Sequence, residues 1–530
     1  MVDRRDTLRL AAAAGLGSAA GLVGPRAASA STDPRHAGVR HADWSALRRA
    51  LSPGATLYLP GQASYEALAI PFNHRYADVR PAGILLPDTA RDVAAAIRWA
   101  RAHGVPLVPR SSLGHNYAGY STTSGLLLIL SRMRGITPHQ ASEPGPTERY
   151  GPIEVTRNAG LVTVGAGVIN ADMVPLLADD GILVPGGRCP TVGLAGLVLG
   201  GGMGFSDKMF GLTCDNLVST TVALADGELV TCDERHDADL FWALRGGAGN
   251  NFGVNTSFTF RYERLRGQVA FWQFSWSLHS VVPALVALQE VAAAQLANPR
   301  FDCRYGLGTD GQTRAQIQSR IRVDALGGFY GSAEELTRIV APVLDIGTPD
   351  ERRANRDSIR QVTPSQAAAL LAATTPTQQF AEKSAVLTRP LSTAQLQAAV
   401  CGLQDWPGSR NPQGAGFALF GEGGLVNQVP PDATAFVHRD GLFIQALETT
   451  WADDDPPETG RAGLAWLDGF YDAIFAAGRP RGAYQNFPDP TLVDWRRSYY
   501  GDNYRRLVGV KHAYDPTGFF SYPQGIGQRS

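Results

Sequence analysis

Eight of the nineteen residues from Gly186 to Gly204 are glycine, and the run ends Gly200-Gly201-Gly202-Met203-Gly204. Such a run cannot sustain a long helix or strand, because glycine loses more backbone entropy on ordering than any other residue. What it permits is close approach. Without Cβ atoms, backbone N–H groups can crowd against an anion such as a pyrophosphate. A second segment has related character: Arg110-Ser111-Ser112-Leu113-Gly114-His115-Asn116-Tyr117-Ala118-Gly119-Tyr120 follows the apolar run Val105 to Val108 and adds small hydroxyls to its glycines. Neither segment shows the G-x-G-x-x-G spacing of a βαβ dinucleotide fold with an acidic residue about twenty positions on. An NAD-type Rossmann domain is therefore disfavoured. Taken alone, glycines of this kind more often mark turns than ligand sites.

The surrounding pattern is α+β. Residues Thr89 to Ala100 predict an amphipathic helix with Val93, Ala96, Ile97 and Ala100 on one face. Strands are expected at Val105–Val108, Leu126–Leu130, Leu161–Val164, Val218–Leu224 and Val254–Arg261, with a helix over Asn170–Asp179. From about residue 265 the texture changes. Strand-like runs (Gln268–Trp276, Phe417–Leu419, Leu442–Leu447) alternate with Ala-rich helical stretches (Val281–Leu296, Ser332–Val343, Ala462–Ala477), which predicts a sheet covered by helices. The polar stretch 345–378 is expected to contain a surface loop. The tail from Ala483 to Tyr522 is too aromatic for a loose terminus and is expected to pack back onto the first region.

At 530 residues with 44% apolar and 18% charged residues, the chain suits two or three globular units with a large shared core. The opening thirty residues pair Arg4-Arg5 with a weakly apolar Ala/Gly/Leu run and the small-residue cleavage pattern Ala28-Ser29-Ala30. This predicts an export signal over residues 1–30, of twin-arginine type, and a periplasmic or extracellular destination. Its removal leaves 44 basic and 47 acidic residues. That balance gives no reason to expect nucleic acid or a membrane as partner, and a small molecule is the better default. None of the five cysteines sits in a zinc spacing, so no metal is expected. Their odd count leaves at least one for another task, and Cys189 is the candidate.

Several segments together carry a resemblance. They are Phe72-Asn73-His74-Arg75 through Pro81 to Ser131, the stretch around Cys189, and Asp215-Asn216 to Tyr262. With them go Thr434-Ala435-Phe436-Val437-His438-Arg439, Tyr484-Gln485-Asn486-Phe487, Tyr499-Tyr500-Gly501-Asp502-Asn503-Tyr504, Leu507-Val508, Lys511 and Tyr514-Asp515-Pro516. In combination they resemble the berberine bridge enzyme-like family of FAD-linked oxidases, which have the vanillyl-alcohol-oxidase-type (PCMH-type) fold, here of an exported bacterial kind. The resemblance implies an α+β chain with an FAD-binding domain over 45–264, an inserted substrate-binding domain over 265–480 and a C-terminal segment, 481–528, that returns to the FAD domain.

The resemblance also implies covalent FAD, joined through its 8α-methyl to His115 and through C6 to Cys189. The expected cofactor contacts are Arg110, Ser111, Ser112, Leu113, Gly114, His115, Asn116, Tyr117, Gly187, Cys189, Thr191, Val192, Gly193, Gly196, Gly201, Gly202, Gly253, Val254 and Asn486. One departure stands out: Arg110-Ser111-Ser112-Leu113-Gly114-His115 replaces the family's Arg-Ser-Gly-Gly-His, with one residue more and one glycine fewer. Oxidation of an alcohol or amine requires a base, and the family's usual tyrosine positions hold Met203 and Phe487. Tyr484, Gln445 and Glu422 are the remaining candidates. Val192 matches a position that in this family goes with oxygen access. The expected activity is therefore oxidation of a small organic substrate by hydride transfer to FAD, with O2 reduced to H2O2. A dehydrogenase using another acceptor and a non-catalytic flavin-binding protein stay open, as do carbohydrate, alkaloid, polyketide and aryl alcohol as substrates.

Overall fold

The computed structural model describes Val39 and residues 42–373 and 377–528. The export signal expected over residues 1–30 lies outside the described residues. A first small sheet contains β1 (Thr56–Tyr58), β2 (Gly83–Leu86), β3 (Leu107–Arg110) and β4 (Leu126–Ile129), in the order β1-β2-β4-β3. Strands β2, β4 and β3 run parallel. Helix Ala90–Ala102 makes the β2-to-β3 crossover, started by a reciprocal Thr89–Asp92 capping box, and buries Val93, Ala96, Ile97 and Ala100. Parallel neighbours need a crossover connection, usually a helix. Between β3 and β4, however, the connection is the irregular segment 111–125, which carries His115.

The second sheet contains β5 (Ile136–Gln140), β6 (Thr147–Tyr150), β7 (Ile153–Gly165), β8 (Ile182–Leu183), β9 (Leu217–Ala223), β10 (Leu229–Asp233) and β11 (Val254–Gly267). Its order is β10-β9-β11-β7-β5, with β6 on β7 and β8 on β11. Helix Asn170–Asp180 lies beside it and stops at Gly181, where φ is 66°. A Cβ there would come within 2.3 Å of the Leu265 carbonyl oxygen, so the position requires glycine on two counts.

The third sheet runs β15-β12-β14-β13-β17-β18-β16, with every pairing antiparallel. Its strands are β12 (Val269–Ser277), β13 (Phe301–Thr309), β14 (Arg322–Phe329), β15 (Arg360–Val362), β16 (Gln379–Leu387), β17 (Ala415–Gly421) and β18 (Phe443–Trp451). One face is covered by helices Val281–Ala294, Thr393–Gln404 and Pro457–Ile474, whose Leu285, Leu288, Leu396, Leu403 and Phe470 join Trp272, Tyr305, Phe417 and Phe443 in one apolar cluster. Antiparallel sheet under helices is the α+β architecture expected from the alternating pattern.

Two local expectations are refined. The stretch expected to contain a surface loop also carries regular structure, helices Pro349–Ser358 and Pro364–Leu371 on either side of β15. Thr348 with Glu351, and Thr363 with Gln366, form capping boxes with proline in the first turn, a start signal written in the sequence. The helix expected over Ser332–Val343 breaks into Ala333–Ile339 and Ala341–Leu344, because Pro342 lacks the N–H that would continue the first.

The tail folds as helices Trp495–Tyr500 and Tyr504–Tyr514. Tyr500, Leu507, Val510 and Phe520 share a core with Leu199, Leu240, Phe241 and Phe252. The buried Lys511 ammonium donates to Asp515 at 2.6 Å and to the Phe520 carbonyl at 2.7 Å. A second buried ion pair ties the segment before β18 to the first half of the chain. Arg439, with 1% of its side chain exposed, makes a two-pronged contact to Asp215 at 2.7 and 2.8 Å and also donates to Thr434. Arg439→Met strands the Asp215 carboxylate in the interior and should cost about 3–5 kcal/mol. The check is a lower midpoint in chemical denaturation, partly restored when Asp215→Asn is added.

Candidate active site

The segment after β3 is held in shape by its own first residue. Arg110 is buried, and its guanidinium donates to the carbonyls of Leu68 (3.0 Å) and Ser121 (3.1 and 3.2 Å), so one side chain braces both ends of the excursion. Burial lowers its pKa to about 10, still far above neutrality. Ser111 Oγ donates to the Ala166 carbonyl at 2.6 Å, which fixes the segment against the end of β7. Gly114 takes φ 74°, and a Cβ there would lie 2.9 Å from Arg110 and Ser121 atoms. The Asn116 side chain then accepts N–H bonds from Ala118 and Tyr120. The result presents His115 on a fixed scaffold. Its ring stacks on Phe72 at 3.4 Å between centroids, and Nε2 lies 2.8 Å from Thr191 Oγ1. Burial pushes the imidazole pKa down to about 3, so the ring is neutral and keeps a nucleophilic nitrogen at physiological pH.

Thr191 belongs to the glycine-dense segment, so this bond joins the two stretches. Asn170, the first residue of its helix, donates from Nδ2 to the Cys189 carbonyl at 3.0 Å, and its N–H bonds the Val192 carbonyl. A turn from the Val192 N–H to the Cys189 carbonyl completes the local structure. Cys189 thus stands two residues from the hydroxyl that holds His115.

Around these groups lies one large cleft of about 2330 Å³ of atom-free space, its open mouth included. Its walls come from four places: residues 109–121, residues 187–207, the turn 248–255, and the tail residues Tyr484 to Pro488, Tyr499, Tyr500, Tyr522 and Gln524. The third sheet closes the remaining side with Arg304, Glu382, Ala418, Phe420, Ala446 and Glu448. In the turn, Ala248 and Asn250 adopt φ 64° and 61°, conformations that L-residues rarely take and that tend to mark functional sites.

Of the residues expected to touch a cofactor, Arg110, Ser111, Ser112, Gly114, His115, Asn116, Tyr117, Gly187, Cys189, Val192, Gly193, Gly196, Gly253, Val254 and Asn486 line this cleft. Four do not. Leu113 is 47% exposed: the extra residue of this loop bulges to solvent. Thr191 sits behind the wall, supporting His115. Gly201 and Gly202 lie deeper, beneath Phe436 and Thr213.

The proposed bases need larger correction. Gln445 does not line the cleft. Along β18, Ala446 and Glu448 face it, whereas Phe443 and Leu447 join the helix-side cluster, so strand alternation turns Gln445 toward the helices. Glu422 lies one residue beyond the cleft-lining Gly421, in a buried cluster with Asp207, Asp302 and Lys208; burial and the two aspartates push its carboxyl well up. Tyr484 does line the cleft, but its oxygen accepts the N–H of Gly202 (3.1 Å), that of Met203 (3.4 Å) and Asn486 Nδ2 (3.0 Å). These donors stabilise a phenolate but do not outweigh the desolvation of the buried ring. Burial therefore holds its pKa above the ordinary value.

The charged residues of the third sheet were missed. Glu382 on β16 and Glu448 on β18 face the cleft, as do Arg188 and Arg304, whose guanidiniums lie 5.8 and 5.5 Å from the Phe420 ring. Burial lowers the Arg304 pKa to about 9. The available signal was a carboxylate at every-other-residue spacing in otherwise apolar strands, Phe380-Ala381-Glu382 and Ala446-Leu447-Glu448.

The lining suits FAD in two respects. A Cβ on Gly196 would meet no protein atom within 4 Å, so that backbone lies open to a ligand. The buried polar atoms Tyr120 Oη, Asn250 Nδ2 and Oδ1, Gln485 Oε1 and Gln524 Oε1 belong to cleft-lining residues and have no hydrogen-bond partner among the described residues, a donor and acceptor set that a dinucleotide can satisfy.

Comparison with known proteins agrees. Residues 81–233 match the family described as FAD binding domain, and residues 483–527 the family described as Berberine and berberine like. The xylooligosaccharide oxidase of Thermothelomyces thermophilus is 30% identical over 486 residues, spanning 86% of this chain and 89% of that one. Among solved structures, Physcomitrella patens BBE-like 1 superposes with a TM-score of 0.76 at 24% identity, over 92% of this chain and 99% of its own. A glucooligosaccharide oxidase from Acremonium strictum, described with a 6-S-cysteinyl, 8α-N1-histidyl FAD, superposes at 0.74 and 24%, over 91% and 98%. The chain belongs to the berberine bridge enzyme-like family of FAD-linked oxidoreductases. It is an FAD-dependent oxidoreductase.

The open Gly196 backbone is testable. Gly196→Leu should cut the flavin-to-protein absorbance ratio to about a tenth or less by filling the cradle, with the far-UV circular dichroism unchanged. A normal ratio would show that this backbone does not face the cofactor.

Proposed function

We propose that FAD is bound through two covalent links, from His115 to the 8α carbon and from Cys189 to C6, and that the enzyme oxidises a small hydroxyl-bearing compound, with a carbohydrate favoured. The observation that carries this reading is the His115–Thr191 hydrogen bond. It occupies Nε2 and thereby assigns the bond to Nδ1, and it ties the imidazole to the loop that bears Cys189. The glucooligosaccharide oxidase with a doubly linked FAD supports the same chemistry, and the xylooligosaccharide oxidase solved with xylobiose supports the substrate class.

On this reading, residues 45–264 and 481–528 hold the cofactor and 265–480 present the substrate. Bound FAD supplies the two-electron acceptor that takes hydride from the substrate carbon. The chain does the rest. Tyr117, Phe380, Phe420 and Phe487 give an aromatic wall against which a sugar or aryl ring can lie: Tyr117 meets Phe380 and Phe487 edge-on at 5.0 and 5.4 Å. Val192, in the turn after Cys189, is the residue we assign to oxygen access, so that O2 accepts the electrons and leaves as H2O2. We also retain export by the twin-arginine route as a proposal. Among the described residues, no helix is long and apolar enough to cross a membrane.

Acid-precipitated protein should stay yellow, with a mass equal to polypeptide plus FAD. His115→Ala and Cys189→Ala should each keep the flavin through one link, and the double variant should release it. Flavin released freely from the wild type sinks the covalent reading. Val192→Leu should slow reoxidation of the photoreduced flavin by O2 at least about tenfold in stopped flow, a barrier change of about 1.4 kcal/mol. Slow reoxidation in the wild type would instead make the enzyme a dehydrogenase for another acceptor.

A further inference from the structure

With Met203 and Phe487 at the positions a tyrosine base would take, Gln445 turned away and the Tyr484 phenol held protonated by burial, the proton acceptor of this oxidoreductase is unassigned. We propose that Glu382 and Glu448 act as one unit, a carboxyl pair that shares a proton at rest and takes up the proton leaving the substrate hydroxyl. The inference rests on the functional reading above.

The geometry comes from strand register. In the antiparallel pairing of β16 with β18, Glu382 stands directly opposite Glu448. Residues so placed point to the same face with Cβ atoms about 4.5–5.5 Å apart. Both line the cleft, and Glu382 is only 5% exposed. Like charges opposite one another in a sheet are destabilising, and among the described residues no arginine or lysine comes within ion-pairing distance of either carboxylate. Arg304 from β13 and Arg188 from the glycine-dense segment are near enough to lower the Glu448 pKa, and Arg304 that of Glu382, without closing on either. Two buried carboxyls in this position are accommodated most simply by holding one proton between them. Burial and mutual repulsion raise the proton affinity of Glu382, and burial raises that of Glu448.

The pair also lies at the reactive end of the cleft. Tyr117, two residues after His115, packs edge-on against Phe380, two residues before Glu382, and lies close enough to feel the charge of Glu382 and Glu448. The carboxylates therefore adjoin the two residues proposed to hold the isoalloxazine. Asp207 also lines the cleft, but its carboxyl accepts the Gly204 N–H at 2.8 Å and is grouped with Lys208, Asp302 and Glu422, away from Tyr117 and Cys189.

In the step itself, the substrate C–H bond breaks and its electron pair leaves as hydride to bound FAD. The O–H bond gives its proton to a carboxylate oxygen of the pair, and a C=O bond forms. The pair then holds two protons and returns one to solvent before the next turnover. The competent form carries one proton, so acid should block the reaction by adding the second. The groups facing the pair that also bear on this titration are Tyr117, Arg188 and Arg304.

The test uses the holoenzyme and its Glu382→Gln and Glu448→Gln variants. Wild-type-minus-variant infrared spectra at pH 7 should show, for each single variant, a change in frequency or intensity of one and the same protonated-carboxyl carbonyl band, because both partners hold that proton, while the bands of the Asp207, Asp302 and Glu422 cluster cancel. With xylobiose and a set of primary alcohols as probes, anaerobic flavin reduction should fall by about 10²–10⁴-fold in each variant. The double variant should be little worse than either single one. The wild-type rate should decline as pH falls, and that limb should move in both variants. Normal flavin content shows that the variants are folded. Absence of the band, or its persistence unchanged in either single variant, overturns the shared proton. Wild-type reduction rates in both variants, or a loss confined to Asp207→Asn, overturns the base assignment. If no probe bleaches the wild-type flavin, the substrate class falls while the band still decides the pair.

Discussion

The two-pronged contact between Arg439 and Asp215 is what makes a cleft possible at all. One side of the site belongs to the loops after β3 and around Cys189, the other to the third sheet, and those surfaces come from distant parts of the chain. The Arg439 guanidinium, almost wholly buried, reaches from the residues just before β18 to the turn at Asp215 and bonds Thr434 on the way. Asp215 in turn accepts the Leu212 N–H at 3.0 Å, so its carboxylate is saturated. Buried pairs with complete hydrogen bonding fix geometry more reliably than they add stability. Here the geometry fixed is the spacing between Glu448 and the loops opposite.

Within that frame, burial acts on each titratable group in a direction set by its charge type. It lowers the His115 imidazole, which keeps that ring neutral, and raises the carboxyls of Glu382 and Glu448, which keeps protons on the sheet side. The same low-dielectric enclosure thus prepares a nucleophile on one wall and a proton acceptor on the other. Arg110 is the counter-example: its guanidinium stays charged because burial lowers it only to about 10, and it can therefore serve as a permanent brace.

Much of this could be read from the residues. The periodicity over Thr89–Ala100, the glycine run, the aromatic tail and the setting of His115 and Cys189 each point to the observed element or wall, because local pattern and tertiary need coincide there. Three features were less legible. Helix Pro349–Ser358 is polar over its exposed face and was hidden by composition, although Thr348-Pro349 announces it, as Thr363-Pro364 announces the helix Pro364–Leu371. Gln445 and Glu448 differ only in parity along one strand, and a buried strand with apolar residues on both faces gives no sign of which face is which. The Glu382–Glu448 juxtaposition depends on the register between two strands more than sixty residues apart in the chain, and no single stretch of sequence records it.

The contribution of Tyr484, Asn486 and Gln524 to the cleft has a temporal consequence. Ribosomal synthesis delivers the loops bearing His115 and Cys189 long before the segment that walls them in. Until that segment emerges and docks through Lys511 and Asn251, the cradle is missing a side and has weak purchase on a dinucleotide. Secure cofactor capture is thereby placed after the emergence of residues 484–524 from the ribosome.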